Sequence, residues 1–192
     1  ENDIRYVDIL PKEFGSGAYD FDTGVCAYGG DPYSANWVSQ GQGRSEQLAR
    51  ANRCIALSFA GPICEWMSVS PVDQRTSKAI WEDYLRYDWE QLCDGDTPTT
   101  FADDPRLRQS DFGSALSAVY SVFPTTKQQV GAIESRHQEY LKQSVRWLVE
   151  IFSRPDVWQV VEALAGEFES INYDRLEGDR ARELTRSVWG TC

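Results

Sequence analysis

Residues 125–156 read TTKQQVGAIESRHQEYLKQSVRWLVEIFSRPD, and the reading of this stretch decides the fold. Within it Val130, Ile133, His137, Tyr140 or Leu141, Ser144 or Val145, Leu148 and Ile151 or Phe152 recur at three- and four-residue spacing. That is the period of one apolar helix face. Thr125 with Gln128 three places on forms a capping box, in which each side chain satisfies a backbone N–H at the helix start. The spacing predicts a long helix from Thr126 to Phe152. Ser153-Arg154-Pro155-Asp156 then restarts the chain as another helix, with Ser153 as its cap and Val157, Val160, Val161, Leu164 and Phe168 as its apolar face.

Working outward, Asp174 and Glu177 form the cap of a last helix carrying Leu176, Leu184 and Val188, with Gly178 a weak point in its first turn. Upstream, Asp111 to Val122 reads as a short helix closed by Pro124. Ser70-Pro71-Val72-Asp73 has the composition of a helix start, and the predicted helix runs to Leu92 with Trp81, Tyr84, Tyr87 and Trp89 around most of its cylinder. Ser45 to Phe59 forms another, ending before Gly61 and Pro62. Residues 94–110 carry turn chemistry without a period, and Glu13 to Gly43 is rich in glycine with aromatics interspersed, so both read as long loops. Residues 3–10 (DIRYVDIL) read as a short strand or extended arm stopped by Pro11. The expectation is a mostly α, single-domain bundle of about five or six helices, a size suited to ridge-and-groove packing. The extended arm and first loop (1–43) precede a helical body (44–192).

The chain has 192 residues, with 19 basic against 30 acidic, a net charge of −11. A field of that sign repels phosphate backbones and favours encounter with a basic protein, so nucleic acid is not an expected partner. Aromatics make up 12%, far from the composition of a disordered acidic chain. No apolar run is long enough to span a bilayer, so no transmembrane segment is expected. The chain begins at Glu1 and carries five cysteines, Cys26, Cys54, Cys64, Cys93 and Cys192, which suggests disulfides and a secreted or periplasmic location.

His137 is the only histidine, which removes most metal and general-base schemes. Glu134 and His137 have the Glu-x-x-His spacing of di-iron bundles, but such a site needs a second copy and none is present. The acidic clusters Asp20/Asp22, Asp94/Asp96 and Asp103/Asp104 lack the ligand set of a calcium loop. No phosphate loop, zinc spacing or nucleophile elbow occurs, so neither cofactor nor metal is expected. Val130-Gly-Ala-Ile-Glu-Ser135 resembles, over six residues, the segment of lysozyme-like transglycosylases that presents a catalytic acid before a serine. The Gly-Leu-Met-Gln type segment of that family is missing downstream, and the family is not assigned.

These readings point to an exported acidic protein-binding module, such as an immunity or inhibitor protein that neutralises a toxin or hydrolase. Its expected contacts are Tyr19, Asp20, Asp22, Tyr28, Asp31 and Tyr33 in the first loop and Asp94, Asp96, Asp103 and Asp104 in the second, because tyrosines beside carboxylates suit a basic protein surface. The alternative is a secreted effector or toxin enzyme of another class, with the lysozyme-like hydrolase as its specific form, acting through Glu134, His137 or Glu169.

Overall fold

The computed structural model describes residues 4–13, 19–28, 35–86, 111–123, 130–171 and 175–189. The fold is mostly α. The chain gathers into two compact units, residues 32–152 and residues 1–31 together with 153–192.

The first unit is built on α1 (Ala35–Ser39), α2 (Arg44–Val69), α3 (Ser77–Ile80), α4 (Asp111–Val122) and α5 (Val130–Phe152). Gly43 enters α2 with φ of +87°, a region that side-chain-bearing residues rarely occupy. The predicted helix over 45–59 continues ten residues further, through Gly61 and Pro62. Pro62 lacks the N–H that would reach the Ser58 carbonyl, a defect worth about 3 kcal/mol in a helix interior. Against it stand Ile63 and Met67, both buried, which continue the stripe of Ala51, Ile55 and Phe59 at four-residue intervals. Burying each contributes about 1.5–3 kcal/mol, enough together to carry the helix past the proline.

The predicted helix start at Ser70 is also corrected. Ser70 instead closes α2, its N–H donating to the Trp66 carbonyl at 3.1 Å, because the residue before a proline is pushed into extended conformation. A 3₁₀ turn over Val72–Gln74 follows. The helix starts at Thr76, whose Oγ1 accepts the Ala79 N–H at 3.1 Å. After α3 the chain widens into a π-helical turn, Trp81–Leu85, with Trp81 and Leu85 buried. Tyr87 and Trp89 lie outside the described residues, as does the Thr125 capping box.

Helix α4 has the predicted boundaries. Phe112, Ala115, Leu116, Ala118, Val119 and Val122 are all buried, so the helix is enclosed by α1, α2 and α5, which all pack on it. Phe112 sits between Phe59 (centroids 5.7 Å apart) and Trp81 (6.4 Å). Helix α5 buries His137, Leu141, Val145 and Leu148, the predicted stripe.

The second unit overturns the reading of 13–43 as one long loop. Strands β1 (Ile4–Glu13) and β2 (Tyr19–Tyr28) form an antiparallel hairpin, and β3 (Leu176–Glu177) pairs with the other edge of β1, giving the order β2-β1-β3. Pro11 does not stop β1, because it falls at a shift of register between Leu10 and Lys12, where the ladder is interrupted and no N–H is required. Helices α6 (Pro155–Ser170) and α7 (Gly178–Trp189) pack on each other, and α7 also packs on β1 and β3. Ser153 is not the cap of α6: Arg154 holds that place in extended conformation before Pro155, without a side-chain cap. The proposed Asp174/Glu177 box does not cap α7, since Glu177 pairs with Tyr6 in the sheet and the helix begins at Gly178. Asp174 is outside the described residues. Arg180 grips both oxygens of Glu167, at 2.7 and 3.0 Å, and ties α7 to α6.

Among the residues whose side chains are described there is no disulfide, which corrects the expectation for Cys54 and Cys64. The buried Cys54 Sγ lies 3.9 Å from the Ser114 carbonyl oxygen, and Cys64 is a thiol that burial pushes up to about 11. Cys26 lies in β2, and Cys93 and Cys192 are outside the described residues.

Gly166 is exposed within α6, and a Cβ there would meet nothing within 4 Å. Gly166→Ala is therefore expected to stabilise the protein by about 0.5–1 kcal/mol, read as a higher urea midpoint at unchanged slope.

Candidate functional site

His137 is 0% exposed. Its Nε2 lies 2.9 Å from the Phe123 carbonyl oxygen at the end of α4, and the Tyr120 ring packs 4.2 Å from its own, centroid to centroid. Nδ1 has no hydrogen-bond partner. Neutral imidazole with the proton on Nε2 satisfies this arrangement: Nε2–H donates to Phe123, and Nδ1 keeps a lone pair. Burial holds His137 below its ordinary pKa, and the adjacent Arg136 adds to this, against the opposing pull of the Phe123 bond. The ring clamps α4 to α5 and is shielded from any substrate in solution. Glu134 lies in the first turns of α5, three positions before His137.

The expected binding residues fall differently. Tyr19, Asp20, Asp22 and Tyr28 belong to β2, with Tyr19 opposite Glu13, Asp20 opposite Lys12 and Tyr28 opposite Ile4. They stand on the outer strand of a hairpin and not in a loop. Asp31, Tyr33, Asp94, Asp96, Asp103 and Asp104 lie outside the described residues. Among the described residues no group of three His, Cys, Asp or Glu side chains gathers to hold a metal ion.

A surface that the sequence reading did not single out is built on α5. Arg136, Tyr140, Gln143 and Trp147 succeed one another at four, three and four residues, a second stripe beside the buried one. Three depressions meet at Gln143. The first, about 310 Å³, lies between α2 and α5 and is lined by Asn52, Ala56, Tyr140, Ser144, Trp147 and Leu148. The second, about 570 Å³, adds Phe123, Arg136 and Glu139. The third, about 440 Å³, reaches Ser77, Lys78, Trp81, Glu82, Lys142 and Arg146.

The walls of this trough are held by specific contacts. The Arg44 guanidinium stands 4.7 Å from the Phe123 ring centroid and that of Arg136 4.4 Å, while Arg44 Nη1 also donates to the Val122 carbonyl. Phe123 meets the Tyr140 ring edge-on at 5.2 Å, and the Tyr140 hydroxyl donates to Asn52 Oδ1 at 2.5 Å. Burial raises the Tyr140 pKa, only partly countered by Arg44 and Asn52, so the phenol stays a neutral donor. Lys142 lies 5.3 Å over the Trp81 ring. Trp147, by contrast, is 53% exposed. An indole left half in water on a helix that buries Val145 and Leu148 is the signal that was available in the sequence: it falls out of phase with the core stripe.

Because His137 is depressed in the folded state and ordinary when unfolded, the neutral form is favoured by folding. Its contribution is fully present above about pH 6.5 and is lost as pH falls towards the folded value, at most about 1.4 kcal/mol per pH unit. Denaturation midpoints followed from pH 7.5 to 5.5 should fall for the native chain, and His137→Gln, which keeps a donor for Phe123, should remove that slope. No protein-family model, no curated protein and no solved structure matches this chain.

Proposed function

We propose that the chain is a protein-recognition module whose contact face is the α5 trough, and that its biological form is an exported immunity or inhibitor protein. The observation that carries this reading is the half-exposed Trp147 aligned with Tyr140 and Arg136 on one rigid helix. Trp, Tyr and Arg are the residue types that dominate binding energy at protein interfaces, since they combine large apolar area with few rotatable bonds and a polar end. The face is preorganised: α2 and α4 support α5 from behind, and the Tyr140–Asn52 bond fixes one wall. Little ordering entropy is then left to oppose association. The exported, neutralising role rests on the acidic composition, while Cys54 and Cys64, which form no disulfide, lend it nothing. Of the residues offered for the hydrolase alternative, Glu134, His137 or Glu169, His137 is fully enclosed and its imidazole does not reach solvent.

The intact tagged protein, incubated with extract and culture fluid of its source cells, is expected to retain one stoichiometric partner. Trp147→Ala, which removes an exposed side chain and should keep the native circular dichroism, is expected to weaken that complex at least tenfold, the effect of a hot-spot truncation of about 2 kcal/mol. Recovery of no partner, or equal recovery by the variant, overturns the reading.

A further inference from the structure

The charge of the trough is opposite to that of the molecule. Its lining holds four basic residues, Lys78, Arg136, Lys142 and Arg146, against two acidic ones, Glu82 and Glu139, in a chain where acids outnumber bases by 30 to 19. Part of this charge is already matched: Arg146 contacts Glu150 at 3.0 Å and Lys78 contacts Glu82 at 3.9 Å, both exposed pairs of small worth. Arg136 and Lys142 are not matched in this way. Each guanidinium or ammonium lies over an aromatic ring, Phe123 and Trp81 respectively, with no carboxylate within ion-pair distance among the described residues. A cation held on a ring face keeps its remaining N–H groups for an incoming acceptor. Between the two cations on α5 lies Glu139, which accepts from Gln143 Nε2 at 3.4 Å, with Tyr140 on the other side of Arg136 and Trp147 one helical turn beyond Gln143.

We propose that the trough seats an acidic amphipathic segment of a protein partner, with carboxylates on Arg136 and Lys142 and apolar side chains against Tyr140 and Trp147. This rests on the reading of the α5 face as a recognition surface and adds the chemistry of what it recognises. Contact is decided within a Debye length, about 8 Å at physiological salt, so the local positive sign outweighs the acidity of the chain as a whole. Over the length of a polyanion such as nucleic acid the balance reverses, because the surrounding carboxylates release no counterions. The expected basic character of the partner is thereby revised for the segment that enters this trough.

The test pans a phage-displayed library of random 16-residue peptides on the intact protein and measures the selected peptides by fluorescence anisotropy. The expected result is enrichment of peptides with net negative charge and apolar residues at three- and four-residue spacing. Their affinity should fall at least tenfold with Arg136→Glu/Lys142→Glu and by a smaller factor with Arg136→Gln/Lys142→Gln, and should weaken between 50 and 300 mM salt. Arg186→Glu, at an exposed position of α7 in the other unit, should change nothing. Selection of neutral or basic peptides, no enrichment, undiminished affinity in the charge-reversed variant, or tighter binding of a single-stranded oligonucleotide overturns the proposal. If a cellular partner is still captured through Trp147 while the selected peptides are not acidic, the recognition reading stands and the acidic segment falls. If capture itself fails, the recognition reading falls whatever the peptides show.

Discussion

The architecture of the larger unit depends on how the end of a buried helix is satisfied. Helix α4 is enclosed on almost every side, and the last carbonyls of any helix have no partner within it. Left bare in a protein interior, each would cost about 1–3 kcal/mol. Here Arg44 from the start of α2 donates to the Val122 carbonyl and His137 from α5 donates to that of Phe123. Two side chains from two different helices thus meet at one terminus and fix where α2, α4 and α5 converge. The same arrangement presents Phe123 between two guanidinium groups and against Tyr140. The trough is therefore a by-product of capping: the residues that complete α4 are also those that shape its rim.

This explains why the single histidine is structural in its chemistry. A lysine or arginine at position 137 would bring a permanent charge into a site with only one acceptor. Imidazole can donate once and remain neutral, which is what the Phe123 carbonyl requires. It also explains the sign of the local field. Arginines drawn to carbonyls and ring faces collect at the helix junction, while Glu46 of the same unit pairs away from the trough with Arg50. Burial and hydrogen bonding have sorted charges that the sequence distributes almost evenly.

Much of the helical body was legible. The stripe of α5 and the limits of α4 follow from periodicity and composition, and both appear as read. Two of the errors share one cause, the treatment of proline and glycine as absolute punctuation. Gly61-Pro62 is tolerated because Ile63 and Met67 remain on a buried stripe, and Pro11 because it falls where the ladder is already broken. Conversely Ser70 has the composition of a cap but directly precedes Pro71 where α2 ends, and Ser153 lies one place before Arg154, the extended residue ahead of Pro155, so neither side chain caps a helix. The contact residues are less legible. Periodicity places Tyr140 in the core stripe and Trp147 out of phase with it, but nothing in a local window says that Arg44, Arg136 and Trp147 border a groove.

What the sequence by itself determined are the properties that need only local interactions: the helical segments, whose hydrogen bonds close within four residues and whose apolar phase is written in the spacing, and the overall acidity. Tertiary structure alone decided the β1–β2 hairpin, the addition of Leu176–Glu177 to its far edge, the passage of α2 through Pro62 and the positive trough on α5. Each of these depends on partners distant in the chain, whose pairing or burial offsets a local preference, and that balance exists only once the elements are packed together.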